Sequence, residues 1–140
     1  MSVGLPQDGL RGSRTSRIAF AMMLWVNRLE RDALRSAEDL VQALASAREE
    51  LRRAEQMIRR ALRKFERGED VASVILATPP AESRQAIQDA LSEVNRSRHR
   101  ARLKIFAAAL DQGVSIGELG RAWGISRQLA SRYAQEATNS

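Results

Sequence analysis

The sequence predicts an all-α protein: a long heptad-patterned N-terminal helix in an antiparallel hairpin or bundle, followed by a C-terminal three-helix domain. Three observations carry that expectation. Of the 140 residues, 44% are hydrophobic but only 4% aromatic, and the apolar residues are mostly Ala and Leu, which favours helices over strands. Three prolines and eight glycines leave room for long uninterrupted helices. Finally, Ala37, Leu40, Leu44, Ala47, Leu51, Ala54, Ile58, Ala61 and Phe65 follow one another at alternating spacings of three and four, a heptad seam.

Residues 1–15 mix glycines, a proline and polar side chains and read as a disordered arm. Its arginines, with Arg17 just beyond, are of the kind that N-terminal arms place in a minor groove, although a plain flexible terminus is the simpler reading. From Ser16 a helical pattern continues for about fifty residues. Its stretch Ile18 to Val26 is apolar nearly all round, so burial on several sides is expected, in part by a second subunit. Nine residues cannot span a bilayer, though flanking arginines and Trp25 also fit a membrane-surface segment.

The seam then takes over. One of its positions is large (Leu44, Leu51, Ile58, Phe65) and the other mostly alanine (Ala47, Ala54, Ala61). Small residues at every seventh position let helix axes approach closely. The set Leu40, Leu44, Ala47, Leu51, Ala54, Ile58, Ala61 and Phe65 is therefore the expected helix-packing and dimerisation seam, within the chain or between subunits. Charged residues from Glu49 to Lys64 line its flanks as a solvated face with i,i+4 pairs. Gly68 supplies a C-cap, Asp70 caps a short helix over Val71 to Ala77, and Thr78-Pro79-Pro80 forces a stop and restart. A helix over about 81–112 follows, with Ile87, Leu91 and Val94 placed to pack back on the seam. Its middle holds the densest basic run, Arg96, Arg98, Arg100, Arg102 and Lys104, and Leu103, Phe106, Ala107 and Leu110 then resume the apolar spacing. Gly113 is the expected left-handed cap. The organisation expected is a helical coiled-coil or dimerisation region over 16–95 and a DNA-binding domain over 96–140.

The last segment carries the most specific pattern. Ser115 and Glu118 have capping-box spacing, and Val114 and Leu119 have that of a hydrophobic staple. Gly124 can take a positive φ, and Ser126 can cap a final helix that runs to about Ala137 and frays beyond. Ile116, Leu119, Trp123, Ile125, Leu129 and Tyr133 would clamp the two helices across the turn. This is a helix-turn-helix pattern. The segment resembles the broad helix-turn-helix superfamily of bacterial transcription regulators, above all in Gly124-Ile125-Ser126-Arg127-Gln128, over roughly the last 45 residues. It departs from that superfamily at Gly120, where members usually carry Ala, and at Ala130, where they carry a branched aliphatic. Trp123 and Leu129 are the residues expected to fill the space so left. Ser-Ile-Gly-Glu-Leu also resembles the opening of MerR-type regulators, but here the motif closes the chain and no wing follows.

Charge agrees with an anionic partner. The net charge is +6, and from Arg96 onward eight basic residues face three acidic ones, while the preceding 95 residues are close to neutral. Leu129, Ala130 and Tyr133 are expected to face inward on the last helix, leaving Arg127, Gln128, Ser131, Arg132 and Gln135 outward. Arg127, Gln128 and Ser131 are the expected base readers, because arginine pairs with guanine and glutamine with adenine. Arg121, Ser126, Arg132, Arg96, Arg98, Arg100, Arg102 and Lys104 are the expected phosphate contacts. With no cysteine, a lone His99 and no Gly-rich phosphate loop, the sequence presents no catalytic constellation, metal site or cofactor site. The expected function is sequence-specific reading of double-stranded DNA by a cytoplasmic, nucleoid-located homodimer joined through its N-terminal helices. Alternatives are an architectural DNA-binding protein without strong sequence preference, and an adaptor that recruits a protein partner through the long helix.

Overall fold

The computed structural model describes residues 14–140, and for Trp25, Val26 and Asn27 the backbone alone. Five helices follow one another: α1 (Arg14–Glu66), α2 (Val71–Ala77), α3 (Ala81–Asp111), α4 (Ile116–Trp123) and α5 (Arg127–Asn139). No strand occurs among the described residues, so the chain is all-α as composition and periodicity predict. The arm expected over 1–15 lies outside the described residues except for Arg14 and Thr15, which already belong to α1. At the other end α5 continues past Ala137 through Asn139, and the Thr138 hydroxyl donates to the Ala134 carbonyl at 2.9 Å.

The described residues gather into two compact units, Leu34–Leu103 on one hand and 14–33 with Lys104–Ser140 on the other. The sequence divisions at 15/16 and 95/96 fall inside α1 and α3, which run through them unbroken.

In the Leu34–Leu103 unit, α1 and α3 run antiparallel. Asp39 to Ser46 share a groove with Ala90, Glu93, Ser97 and Arg100, whereas Glu50 to Met57 share one with Glu82, Ser83 and Ala86. The turn between them is built from local chemistry. Gly68 adopts φ +90° after α1, and its amide donates to the Phe65 carbonyl at 2.9 Å. Asp70 caps α2, accepting from the Ser73 amide at 3.1 Å and the Ser73 hydroxyl at 2.7 Å, bonds that hold its carboxyl below the usual range. Pro80 opens α3, its carbonyl accepting from the Arg84 amide.

Small side chains fill the inside of this hairpin. Ser36, Ala43, Ala47 and Ala54 of α1 and Ser97 and Ala101 of α3 are buried, with Val74 of α2. The expected seam therefore divides. Ala47 and Ala54 are buried and Leu40, Ala61 and Phe65 half-buried, but Leu44, Leu51 and Ile58 stand about half exposed. The physical reason is helical phase. The stripe turned inward is Ser36, Leu40, Ala43, Ala47 and Ala54, one step round the helix from the large residues, because the small side permits the closer approach.

The second unit centres on Phe106, which has no exposed surface. Trp123 meets its ring edge-on at 5.0 Å between centroids, and Tyr133 at 5.9 Å. Ala33, Ala108, Leu119, Gly120, Ala130, Ala134 and Ala137 complete the core. The sequence predicts burial for the apolar run of α1, but Ile18, Phe20, Met22, Met23 and Leu24 are exposed in the single chain. Arg28, Leu29 and Asp32, a turn further on, are where α1 shares a groove with α3 and α5, which leaves the run beyond their cover.

Removing the hub tests this core. Phe106→Ala should destabilise the protein by about 3–5 kcal/mol through the cavity it leaves. Denaturant unfolding followed by near-UV and far-UV circular dichroism measures it, and a loss below about 1 kcal/mol would refute the hub role.

Candidate nucleic-acid interface

The α4–α5 pair is held by four local devices, each legible in sequence. The Ser115 hydroxyl accepts from the Glu118 amide at 3.2 Å, and the Glu118 carboxylate accepts from the Ser115 amide at 2.8 Å, completing the capping box. Hydrogen bonds from Ser115 to its carboxylate, the backbone amide first, with the nearby Arg121 charge, hold the Glu118 carboxyl below its ordinary value of 4.5. Gly124 ends α4 at φ +65°, ψ +34°, where a side chain would be strained, and the Ile125 amide returns to the Gly120 carbonyl at 2.9 Å. Ser126 starts α5, its hydroxyl accepting from the Leu129 amide at 3.1 Å.

Gly120 decides how closely the two helices meet. A Cβ built there would lie 3.3 Å from the Ile125 carbonyl oxygen and 3.6 Å from the Ala130 Cβ. Ala130 is fully buried. The two small residues thus face each other, and their contact closes the space that the sequence assigns to Trp123 and Leu129. Trp123 instead sends its ring to Phe106 and keeps 37% of its surface exposed. Val114 is half-buried and Leu119 buried at the start of α4.

The first turns of α5 present a polar face. Arg127, Gln128, Arg132 and Gln135 are exposed, Ser131 is half-buried, and Ala130 and Ala134 face the core between half-buried Leu129 and Tyr133. Arg121 is exposed on α4, with its guanidinium close to Gly117. The Ser126 hydroxyl serves as a cap, so a phosphate contact there has to share it with the Leu129 amide. Ser126, Arg127 and Gln128 sit at the amino end of α5, which favours an anion.

The basic run of α3 is divided. Arg96 and Arg100 both engage Glu93, at 3.0 and 3.2 Å. Arg98 is exposed, while Arg102 and Lys104 are half-buried. Arg96 to Arg102 belong to the hairpin unit and Lys104 to the unit that contains α5. Sequence reasoning misses Glu93 and Ser97. Ser97 is 1% exposed, and its hydroxyl donates to Glu93 at 3.1 Å and accepts from Arg100 at 3.1 Å. Hydrogen bonds from Ser97, Arg96 and Arg100, in that order, hold the Glu93 carboxyl below its ordinary value. The signal for it lies in the spacing of three, four and seven residues from Glu93 to these partners.

Among the described residues no group of His, Cys, Asp and Glu is placed to hold a metal ion, and no helix is long and apolar enough to cross a membrane. Comparison with protein-family models, curated proteins and solved structures finds no match to this chain.

Two outcomes test the local devices. Gly120→Val should destabilise the protein by about 1–3 kcal/mol by overpacking against Ile125 and Ala130, read from thermal or urea unfolding. Glu118 has a depressed carboxyl, so its stabilisation is full above 4.5 and is lost as pH falls through the folded value. The melting-temperature gap between the native protein and Glu118→Ala should therefore hold from about pH 8 to about pH 5 and close in stronger acid. A gap independent of pH would mean that the carboxylate does not act as the cap.

Proposed function

We propose that the protein is a dimeric, sequence-specific DNA-binding protein of the transcription-regulator type, which inserts α5 into the major groove. The observation that carries this reading is the α4–α5 pair itself: a capped, glycine-turned helix pair whose second helix starts with exposed Arg127 and Gln128 and continues with exposed Arg132 and Gln135. In the proposed complex Arg127, Gln128 and Ser131 contact base edges. Arg121 and Arg132 contact phosphates, with the amino end of α5 adding its partial positive charge. A two-fold dimer presents two copies of α5, so the site is an inverted repeat with half-sites about one helical turn apart or a multiple of it.

The architectural reading draws on the exposed arginines outside α5, Arg98 first among them. One selection experiment separates the two. The purified protein is incubated with random duplex DNA, and bound fragments are sequenced after several rounds, beside an Arg127→Ala/Arg132→Ala variant. An enriched inverted repeat that the variant loses supports the regulator. Loss of Arg127 alone should weaken the selected site by about 1–3 kcal/mol, roughly 5- to 150-fold, with less effect on random DNA. Binding without enrichment, falling steeply with salt, favours the architectural reading. Absence of binding by the folded protein at moderate salt would overturn both.

A further inference from the structure

The outer face of α1 carries a second heptad, distinct from the stripe that packs on α3. Val41, Leu44, Arg48, Leu51, Glu55, Ile58 and Leu62 recur at spacings of three and four, and all seven are exposed. The five apolar members keep 46 to 61% of their surface. The stripe runs for about 32 Å. Its centre opens on a groove of ≈ 500 Å³ that Leu44, Arg48, Leu51 and Glu55 share with Leu91 and Val94 of α3. Hydrophobic side chains at heptad spacing are what a second helix covers, and here the chain's own helices are already used on the other side.

The order of residues along this stripe says what covers it. Read forwards it is Val, Leu, Arg, Leu, Glu, Ile, Leu, and read backwards it matches itself in shape with the charges exchanged. An identical helix laid antiparallel about Leu51 sets Leu51 on Leu51 and Leu44 on Ile58, and brings Val41 within one residue of the level of Leu62. It also brings Arg48 of each copy within one residue of the level of Glu55 of the other, an offset that two long side chains span. A parallel copy would instead set Arg48 on Arg48 and Glu55 on Glu55, which like-charge repulsion disfavours. Arg48 makes no ion pair within the chain among the described residues. Among the described residues Glu55 pairs with Arg59, an exposed i,i+4 contact at 2.8 Å that a second cation can join.

We propose that a second copy of this chain docks on this face, antiparallel and centred on Leu51, so that two hairpins form a four-helix interface with reciprocal Arg48–Glu55 pairs. The inference rests on the dimer in the proposed function but not on DNA recognition. Charged residues within an apolar heptad select orientation at some expense of affinity, the established use of polar seam positions. Leu91 and Val94 complete the wall against which the second α1 lies.

The chain contains no cysteine, so single cysteines report the register cleanly. Leu51→Cys should form a disulfide-linked dimer on mild oxidation. Leu44→Cys and Ile58→Cys should each cross-link poorly alone and efficiently when mixed, the signature of an antiparallel pair. Light scattering with size exclusion then follows dimer dissociation in charge variants, with helicity checked by circular dichroism. Arg48→Glu should raise the dissociation constant about tenfold or more, and Arg48→Glu/Glu55→Arg should recover most of it. Efficient cross-linking of Leu44→Cys or Ile58→Cys alone would overturn the antiparallel register. A folded monomer at tens of micromolar, or a dimer indifferent to every variant on this face, would overturn the docking surface. Duplex binding by the monomer, sensitive to Arg127, would in that case leave the DNA reading standing.

Discussion

Helices can approach only as closely as the side chains between them allow, and this chain places its smallest residues at those points. In the hairpin unit Ala43, Ala47 and Ala54 of α1 are buried along with Ser97 and Ala101 of α3. In the other unit Gly120 and Ala130 do the same for α4 and α5. Close approach gains dispersion contacts along the backbone and buries little apolar area per residue. With so few aromatic residues, only one unit acquires an aromatic hub, and that hub is Phe106 with Trp123 and Tyr133 around it. The arrangement has a direct consequence. Placing alanine inside the hairpin leaves leucine and isoleucine of the same helix outside.

Much of this was legible because helix ends are specified by short-range chemistry. Ser115, Glu118, Gly124 and Ser126 act on neighbours within five residues, so sequence spacing alone locates their bonds. Asp70 and Gly68 are readable for the same reason. The seam is harder. Ala37 to Phe65 and Ser36 to Ala54 are both periodic, and their periods are equal, so the pattern shows that the helix is amphipathic but not which edge of a broad apolar face turns inward. That choice depends on α3, which lies some fifty residues away in sequence. The Gly120–Ala130 contact is visible in sequence as a departure, yet its meaning needs the backbone: the helices close on each other, and no larger side chain is required to fill the gap.

Charge shows the same limit. Composition places the positive excess from Arg96 onward, but it does not say how much of that charge is committed within the fold. Glu93 takes up Arg96 and Arg100, and buried Ser97 fixes the carboxylate between them. These are exposed ion pairs of small energy, and a polyanion can compete for the guanidinium groups. What they remove is the uniformity of the run. The outward residues of α5 have no such acidic neighbour bonded to them among the described ion pairs, which is why α5 is the stronger candidate for contact with nucleic acid.

The two units therefore expose faces of opposite character. On α5 the outward side is arginine and glutamine, suited to a hydrated, charged partner whose grooves offer hydrogen-bond acceptors. On α1 between Val41 and Leu62 it is aliphatic with two opposed charges, suited to a partner that removes water and returns each charge. A polar residue in an apolar seam weakens association least in the orientation that gives it a partner. Two opposite charges placed symmetrically about a leucine weaken the parallel pairing most and the antiparallel pairing least. That difference is what converts a merely sticky helix into one with a defined mate. Because the difference comes from the order of charges rather than from apolar area, it survives the modest burial that an alanine-lined hairpin can offer. The proposed division of labour follows from these surfaces: α1 fixes how the copies meet, and α5 reads what they meet on.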